Sequence, residues 1–298
     1  MSEFREETGD EIEEKLEETE SIERQEEIVK EIPETITEEV EEKIFKLMFP
    51  KGKDVRYVFT ALASLLHEAN LVISPEGLKL KSIDPSKVSL IVLEIPSANL
   101  EEFQVPHEVK VGLIFDLIKN VAKRMKAREK VEFIIDRIKN RFYITIYSKK
   151  GREGGIYRKF GFPIISIAEE EIPEPSLTYP VRIKMNIDTF TDLVAAADEI
   201  SDSISLIAKP DSLIIRAVGE GGKMLEAEYS RDDEVFYEFD VNEACEATYA
   251  SEMILDFTRP MKQISETVTI EFSSNKPLRL TYEFSIGKVL FMLAPRVV

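Results

Sequence analysis

Apolar positions along this chain follow two rhythms, and the same succession of rhythms occurs twice. From Val55 to Ala69, the residues Val58, Leu62, Leu65 and Leu66 share one helical face; from Phe190 to Ile200, Phe190, Leu193, Ala197 and Ile200 do the same. Each helix leads into a strand, a proline turn and a second strand. The first copy reads Leu71-Val72-Ile73-Ser74-Pro75-Glu76-Gly77-Leu78, the second Leu206-Ile207-Ala208-Lys209-Pro210-Asp211-Ser212-Leu213, and the two prolines stand 135 residues apart. Second helices are predicted over Ile114 to Met125 and over Glu252 to Met261. Paired strands follow, with Val131–Ile134 answering Val268–Glu271 at an offset of 137 and Phe142–Tyr147 answering Leu278–Glu283 at 136. An offset held this closely over half a chain implies two copies of one helix-plus-antiparallel-sheet domain, an α+β fold.

The pattern divides the chain into an N-terminal extension (1–43), a first domain (44–163), a connecting segment (164–176) and a second domain (177–298). The connecting segment runs from Pro163 to Pro175. Prolines at both ends oppose a helix and a central strand, so an extended path is expected, and alternating Ile164, Ile165 and Ile167 suggest that one side rests on a surface. The extension has too few apolar residues on any face to close a core. It reads as a solvated, partly helical or disordered tail, with a docking or electrostatic-decoy role as the functional alternative.

Composition changes the picture mainly through charge. Of 298 residues, 43% are hydrophobic, and the net charge is −18. Residues 1–43 hold 19 acids and 5 bases, so that segment carries −14 and residues 44–298 only −4. A near-neutral body leaves room for a local basic surface. No apolar run approaches the roughly 18 uncharged residues of a membrane span, and no apolar signal-peptide core is expected at the start. The single cysteine, Cys245, excludes an intramolecular disulfide and points to a reducing compartment.

Three segments carry a family resemblance. Ser82-Ile83-Asp84-Pro85-Ser86-Lys87-Val88-Ser89-Leu90 resembles the front-face loop of DNA sliding clamps of the proliferating cell nuclear antigen (PCNA) type. Glu171-Ile172-Pro173-Glu174 is similar to the end of that family's interdomain connecting loop, and Leu293-Ala294-Pro295-Arg296 to its C-terminal ending. The resemblance spans residues 44–298, is closest to archaeal clamps, and leaves residues 1–43 outside. It implies the DNA clamp fold: a two-domain subunit, three of which close a ring with sheets outside and helices lining the hole. It implies a processivity factor that encircles duplex DNA without sequence preference and works in replication and repair. Its partners would be two further clamp subunits, a clamp loader, DNA polymerase, flap nuclease and DNA ligase, the enzymes docking through a short peptide motif. The expected setting is cytoplasmic and nucleoid-associated in an archaeal cell, with no membrane partner and no cofactor. The alternative is a scaffold with the same fold that encircles nothing.

The resemblance also implies three residue sets. A pocket for partner peptides would be lined by Ile83, Val88, Ile172, Pro173, Pro277, Met292, Leu293, Ala294 and Pro295, with Lys87 at its rim. Helices facing DNA would present Arg56, Lys119, Lys123, Arg124, Lys126, Arg259 and Lys262, with Arg128 and Lys130 just beyond. Subunits would join by sheet edges, Gly155 to Phe162 (Tyr157, Arg158, Phe160) and Met224 to Tyr229 (Met224, Leu225, Ala227, Tyr229). The basic pattern is incomplete: Ala63 stands where the family commonly has lysine, and Asp192, Asp198 and Glu199 occupy a stretch where bases are expected. Sister subunits in a heterotrimer would supply the missing charge, and a homotrimer remains the other option.

Catalysis finds little support in the residues. His67 and His107 fall in different elements, and Gly219-Glu220-Gly221-Gly222 reads as a hairpin turn because it lacks a phosphate-cradling Lys-Ser/Thr. Asp198, Glu199 and Asp202 could hold a metal, but without His or Cys they read better as an exposed acidic helix end. A phosphodiester-acting enzyme using this cluster is the remaining rival.

Overall fold

The computed structural model describes residues 43–155, 157–168, 172 and 177–296. Expectations for residues 1–42, Ile156, Pro173 and the last part of the connecting segment lie outside the described residues. The first half contains β1 (Ile44–Phe49), α1 (Gly52–Leu65), β2 (Glu68–Ser74), β3 (Gly77–Ile83), β4 (Ser89–Pro96), β5 (Glu102–Gln104), β6 (Val109–Ile114), α2 (Phe115–Ala122), β7 (Lys130–Asp136), β8 (Arg141–Tyr147) and β9 (Tyr157–Pro163). The second half repeats the order: β10 (Val181–Asn186), α3 (Ile187–Asp198), β11 (Ser203–Lys209), β12 (Ser212–Val218), β13 (Met224–Ser230), β14 (Phe236–Val241), β15 (Cys245–Ala250), α4 (Ser251–Met261), β16 (Thr267–Phe272), β17 (Leu278–Phe284) and β18 (Gly287–Leu293).

The helices depart from their predicted ends in instructive ways. α1 stops at Leu65, although apolar spacing continues to Ala69, because Leu66 is already extended and Ala69 pairs with Leu113 across β2 and β6. Its N-terminus has no side-chain cap; the Gly52 N–H instead donates to the Glu129 carbonyl at 2.6 Å. α2 ends at Ala122, and the predicted last turn tightens, with Arg124 N–H to Val121 and Met125 N–H to Ala122. α3 starts three residues before the predicted Phe190, where Asn186 caps it by accepting from Thr189 N–H at 3.0 Å.

All described strand pairs are antiparallel. Three sheets result, ordered β5-β1-β7-β8-β9, β14-β10-β16-β17-β18-β4-β3-β2-β6 and β13-β12-β11-β15. Strand residues alternate, and those facing the helices make the core: Val131, Phe133 and Ile135 on β7, and their counterparts Val268, Ile270 and Phe272 on β16. Phe133 lies 5.5 Å from Phe59 of α1 and 5.0 Å from Phe142, while Phe257 of α4 stacks on Phe291 at 4.8 Å. Burying Tyr282 in this core leaves its hydroxyl one partner, the Thr258 hydroxyl of α4 at 2.7 Å. α1 packs against both α2 and α4, and α3 against α4, so the four helices form a row in the order α2, α1, α4, α3.

The long middle sheet crosses between the halves. β18 pairs with β4 from Lys288 opposite Glu94 to Leu293 opposite Ser89, and Lys288 Nζ reaches Glu94 at 2.9 Å. Gly287 makes the entry to this joint passable, since a Cβ there would collide with the Glu94 carbonyl oxygen. The connecting segment lies along the first half as its isoleucines suggest. Ile164 is buried, Ile165 bridges Gly112, and Asn70 and Asn140 donate to the Ile167 and Ile164 carbonyls.

Candidate functional site

The row of helices is electrically divided. On the first half, Lys123, Arg124, Lys126 and Arg128 are all exposed within and just after the end of α2, and among the described residues no carboxylate pairs with their side chains. Their spacing explains the exposure: the chain leaves the helix at Ala122, and only Met125 turns back into the core. Arg56 and Lys119 are half-buried and engaged locally. Arg56 lies over the Tyr57 ring and donates to the Met125 carbonyl, and Lys119 donates to that of Ala63. On the second half, Asp188, Asp192 and Glu199 of α3 and its C-terminal end, and Glu252 and Asp256 of α4, are exposed. Arg259 is exposed beside them, but Lys262 is held by Asp188 at 3.4 Å and Asp192 at 3.5 Å. Of the seven basic positions, Lys123, Arg124 and Lys126 are exposed without a carboxylate partner among the described residues, Arg56 and Lys119 are engaged by backbone carbonyls, Arg259 is exposed, and Lys262 is held by two carboxylates.

The front-face loop after β3 is built around one carboxylate. Asp84 is buried and accepts from Val88 N–H at 2.9 Å, Ser89 N–H at 2.5 Å, Ser86 N–H at 2.9 Å and the Ser86 hydroxyl. Burial opposes its charge, yet hydrogen bonds from Ser86 and Ser89 outweigh that cost and hold its pKa below the usual carboxylate range. This staple lets Lys87 adopt φ 60° and turns Lys87 and Val88 outward, both exposed. A groove of about 490 Å³ beside the loop brings together Ile83, Lys87 and Ile172, with Lys81 bonding the Ile172 carbonyl at 2.7 Å.

The other proposed pocket residues do not line this groove. Met292 lines a second groove of about 380 Å³ on the outer sheet face, with Leu90, Val92 and Leu290. Ala294 donates its N–H to the Val88 carbonyl at 2.8 Å, which ties the C-terminal segment to the loop, and Ala294, Pro295 and Pro277 are half-exposed. Leu293 does not line a surface: it is 1% exposed, because alternation along β18 turns it into the core with Val289 and Phe291. The apolar outer-face residues Leu90, Val92 and Leu290 escaped the sequence reading. Their signal was the second phase of alternation on β4 and β18, hidden by strands apolar on both faces.

Sheet edges complete the geometry. β9 closes one end of the five-stranded sheet and β13 one end of the four-stranded sheet, and no further strand lies beside either among the described residues. The duplication identifies what each edge is. Phe142 opposite Phe162 on β8 and β9 repeats Leu278 opposite Leu293 on β17 and β18. Leu80 opposite Leu93 on β3 and β4 is repeated by Ile215 opposite Ala227 on β12 and β13. The free edges are thus the counterparts of the two strands already joined inside the chain. Phe160 takes the place of Phe291, Lys159 of Leu290 and Tyr157 of Lys288; Leu225 takes that of Ile91, Glu226 of Val92 and Glu228 of Glu94. Tyr157 and Met224 are exposed, Phe160, Leu225, Ala227 and Tyr229 are half-buried, and Arg158 is paired with Glu129 at 2.6 Å.

Catalytic candidates are not assembled. His67, beyond the end of α1, meets Asp116 at 3.1 Å on the surface, and His107 packs edge-on against Phe45. Asp198 accepts from the Ser251 hydroxyl, and Asp202 pairs with Arg296 at 2.8 Å, a bond that lowers its pKa. No group of three potential metal ligands occurs among the described residues, and Cys245 is buried.

Comparison with known proteins bears on the whole assembly. Residues 44–157 match the family model for the N-terminal domain of proliferating cell nuclear antigen, and residues 171–297 that for its C-terminal domain. DNA polymerase sliding clamp 2 of Pyrobaculum aerophilum is 44% identical over 252 residues, covering 85% of this chain and 98% of its own length. The DNA polymerase sliding clamp of Thermofilum pendens is 36% identical over 253 residues, covering 85% and 99%. The crystal structure of a PCNA2–PCNA3 complex from Sulfolobus tokodaii aligns with a TM-score of 0.76 at 29% identity, over 84% of this chain and 99% of the other. That of PCNA from Thermococcus kodakaraensis shares the fold at a TM-score of 0.77 and 24% identity, over 85% and 100%.

Proposed function

The chain belongs to the proliferating cell nuclear antigen family of sliding clamps, and from that premise we propose that it is one subunit of a closed three-membered ring around duplex DNA. Its function is that of a processivity clamp for DNA polymerase, and it works by topology rather than by chemistry of its own. The observation that carries the ring is the internal joint. β18 and β4 already make one antiparallel pairing between halves, and β9 and β13 are the same two strands left unpaired at opposite ends. Repeating the joint between subunits sets Phe160 opposite Leu225, Lys159 opposite Glu226, Arg158 opposite Ala227 and Gly161 opposite Met224. On the core side Phe160 meets Leu225 while Arg158 takes the place of Val289 opposite Ala227, and on the outer side Lys159 meets the opposite charge of Glu226. The contact is head-to-tail, so it propagates until it closes.

Within such a ring the helix row lines the hole. Lys123, Arg124, Lys126 and Arg128 approach phosphates without reading bases, and loose contacts of that kind permit sliding. Client enzymes dock a short peptide where the front-face loop, Ile172 and the C-terminal segment converge, with Ile83, Val88, Met292, Ala294 and Pro295 as apolar wall and Lys87 at the rim. Such work belongs in the cytoplasm, at the nucleoid.

Sedimentation equilibrium tests the reading. A particle of three chains of 34.1 kDa is expected at micromolar concentration, either alone or on mixing with sister clamp chains. A chain that stays monomeric in every mixture would leave the scaffold alternative standing and remove the ring.

A further inference from the structure

The two free edges match the internally joined strands in place but not in charge. Residues 148–162, the β8–β9 turn with β9, hold five bases (Lys149, Lys150, Arg152, Arg158, Lys159) and one acid (Glu153), a net of +4. Residues 224–234, β13 with the turn after it, hold five acids (Glu226, Glu228, Asp232, Asp233, Glu234) and one base (Arg231), a net of −4. Their internal counterparts are nearly neutral: residues 284–293 carry only Lys288, and residues 90–100 only Glu94. Part of the edge charge is engaged within the chain, since Arg152 is bound by Glu132 and Glu102, Arg158 by Glu129, and Glu226 by Arg216. Lys149, Lys150, Asp232 and Glu234 are exposed and have no ion-pair partner among the described residues.

We propose that the chain's neighbour in the ring is a second copy of itself, and that a charged clasp, Lys149 and Lys150 of one copy against Asp232 and Glu234 of the next, backs the strand ladder. The internal joint shows where the clasp lies. There the β17–β18 turn touches the first half twice: the Ser285 hydroxyl donates to Asp54 in the first turn of α1 at 2.5 Å, and the Asn99 amide donates to the Ile286 carbonyl at 3.1 Å. The counterpart of that turn is 148–156, since Tyr147 opposite Tyr157 repeats Glu283 opposite Lys288. The counterpart of Asn99 is Asp233, which stands three residues past the end of β13 as Asn99 does past that of β4. Nine residues make the turn at the free edge where four, 284–287, make it internally, and the added length carries the two lysines outward. Head-to-tail contact sets the basic end of each copy on the acidic end of the next, whereas like ends repel, so complementarity within one sequence selects identical neighbours. Three copies also repeat the exposed cations of α2 around the hole, so the acidic face of α3 calls for no sister subunit. This inference rests on the clamp reading for the joint itself.

Sedimentation equilibrium of the purified full chain over a dilution series tests both parts. Alone, the chain is expected to assemble into particles of three. Lys149→Glu with Lys150→Glu sets like charges at every joint and should move half-assembly to about tenfold higher concentration at about 0.1 M salt. The shift should shrink at about 0.5 M salt, where screening acts within a few ångströms. Adding Asp232→Lys and Glu234→Lys reverses both sides and should return the midpoint close to that of the original chain. Because all four side chains are exposed, thermal unfolding of the diluted monomer should stay unchanged, which checks that each variant folds. A chain that stays monomeric alone but assembles with sister clamp chains overturns the second-copy proposal and leaves the ring standing; one that assembles with nothing removes both. An unmoved midpoint in the double-lysine variant, or no recovery in the fourfold one, overturns the clasp.

Discussion

Reversing the charge of Lys159 isolates the subunit joint from the fold. Inside the chain, Lys159 lies over the Tyr143 ring at 4.3 Å, and Glu226 is bound by Arg216 at 2.7 Å. Across the proposed joint these two would face one another where Leu290 faces Val92 in the internal copy. An opposite-charge cross-strand pair contributes about 0.2–1 kcal/mol, and a like-charge pair costs a similar amount. Lys159→Glu therefore weakens each joint by roughly 0.5–2 kcal/mol, and a ring of three joints by about 1.5–6 kcal/mol if the joints act independently. With 1.4 kcal/mol per factor of ten, and the midpoint of trimerisation moving as the square root of the equilibrium constant, half-assembly shifts to about 3- to 140-fold higher concentration. Sedimentation over a dilution series reads that shift. Thermal unfolding of the monomer at high dilution reads the separate loss of the Tyr143 contact, about 0.5–1 kcal/mol. Adding Glu226→Lys restores opposite charges across the joint and is expected to recover most of the assembly, although Arg216 loses its partner. An unmoved midpoint in Lys159→Glu, or a double variant that assembles worse than the single, refutes the register.

The front-face loop and the helix row give two further tests. Asp84→Asn removes a carboxylate that accepts four hydrogen bonds and should cost about 1–3 kcal/mol in denaturant unfolding at pH 7. Because the folded pKa of Asp84 is depressed, the unfolded state binds the extra proton; the stabilisation is complete above the unfolded value, near 3.9, and fades as pH falls through the folded one. The gap between wild type and Asp84→Asn should accordingly narrow in acid, and a gap independent of pH would mean the charge is not what matters. For DNA, Lys123→Ala and Lys126→Ala should each reduce the slope of log affinity against log salt by up to about 0.9. Lys262→Ala should change it little, because Asp188 and Asp192 already hold that ammonium; a Lys262 effect as large as that of Lys123 would contradict the division of the helix row.

The duplication was legible because two domains built alike must bury the same faces at the same spacing. Val131, Phe133 and Ile135 repeat as Val268, Ile270 and Phe272, and neither a loop insertion nor surface variation can disturb a buried alternation. Helix ends were less legible. Leu66 and Ala69 satisfy a helical period and a strand period at once, and only pairing with β6, distant in sequence, decides between them. The site was harder again, since which face of a strand meets solvent is a property of the assembled layers. Leu293 belongs to the same short segment as Met292, Ala294 and Pro295, yet one step of alternation puts it in the core while Met292 reaches the outer groove. Charge was the least legible of all. A count of lysines and arginines on helices treats Lys123 and Lys262 as equal, but their standing depends on the neighbours: α3 brings Asp188 and Asp192 to Lys262, and among the described residues no carboxylate pairs with the Lys123 side chain. Two copies of one domain have thus kept their cores and exchanged their electrostatics. Fold and charge vary independently here because the core is fixed by packing that every substitution disturbs, whereas the exposed helix face tolerates either sign at little cost to folding. In the proposed ring, the first half would therefore be the half that meets a phosphate backbone, and the second would contribute mainly circumference.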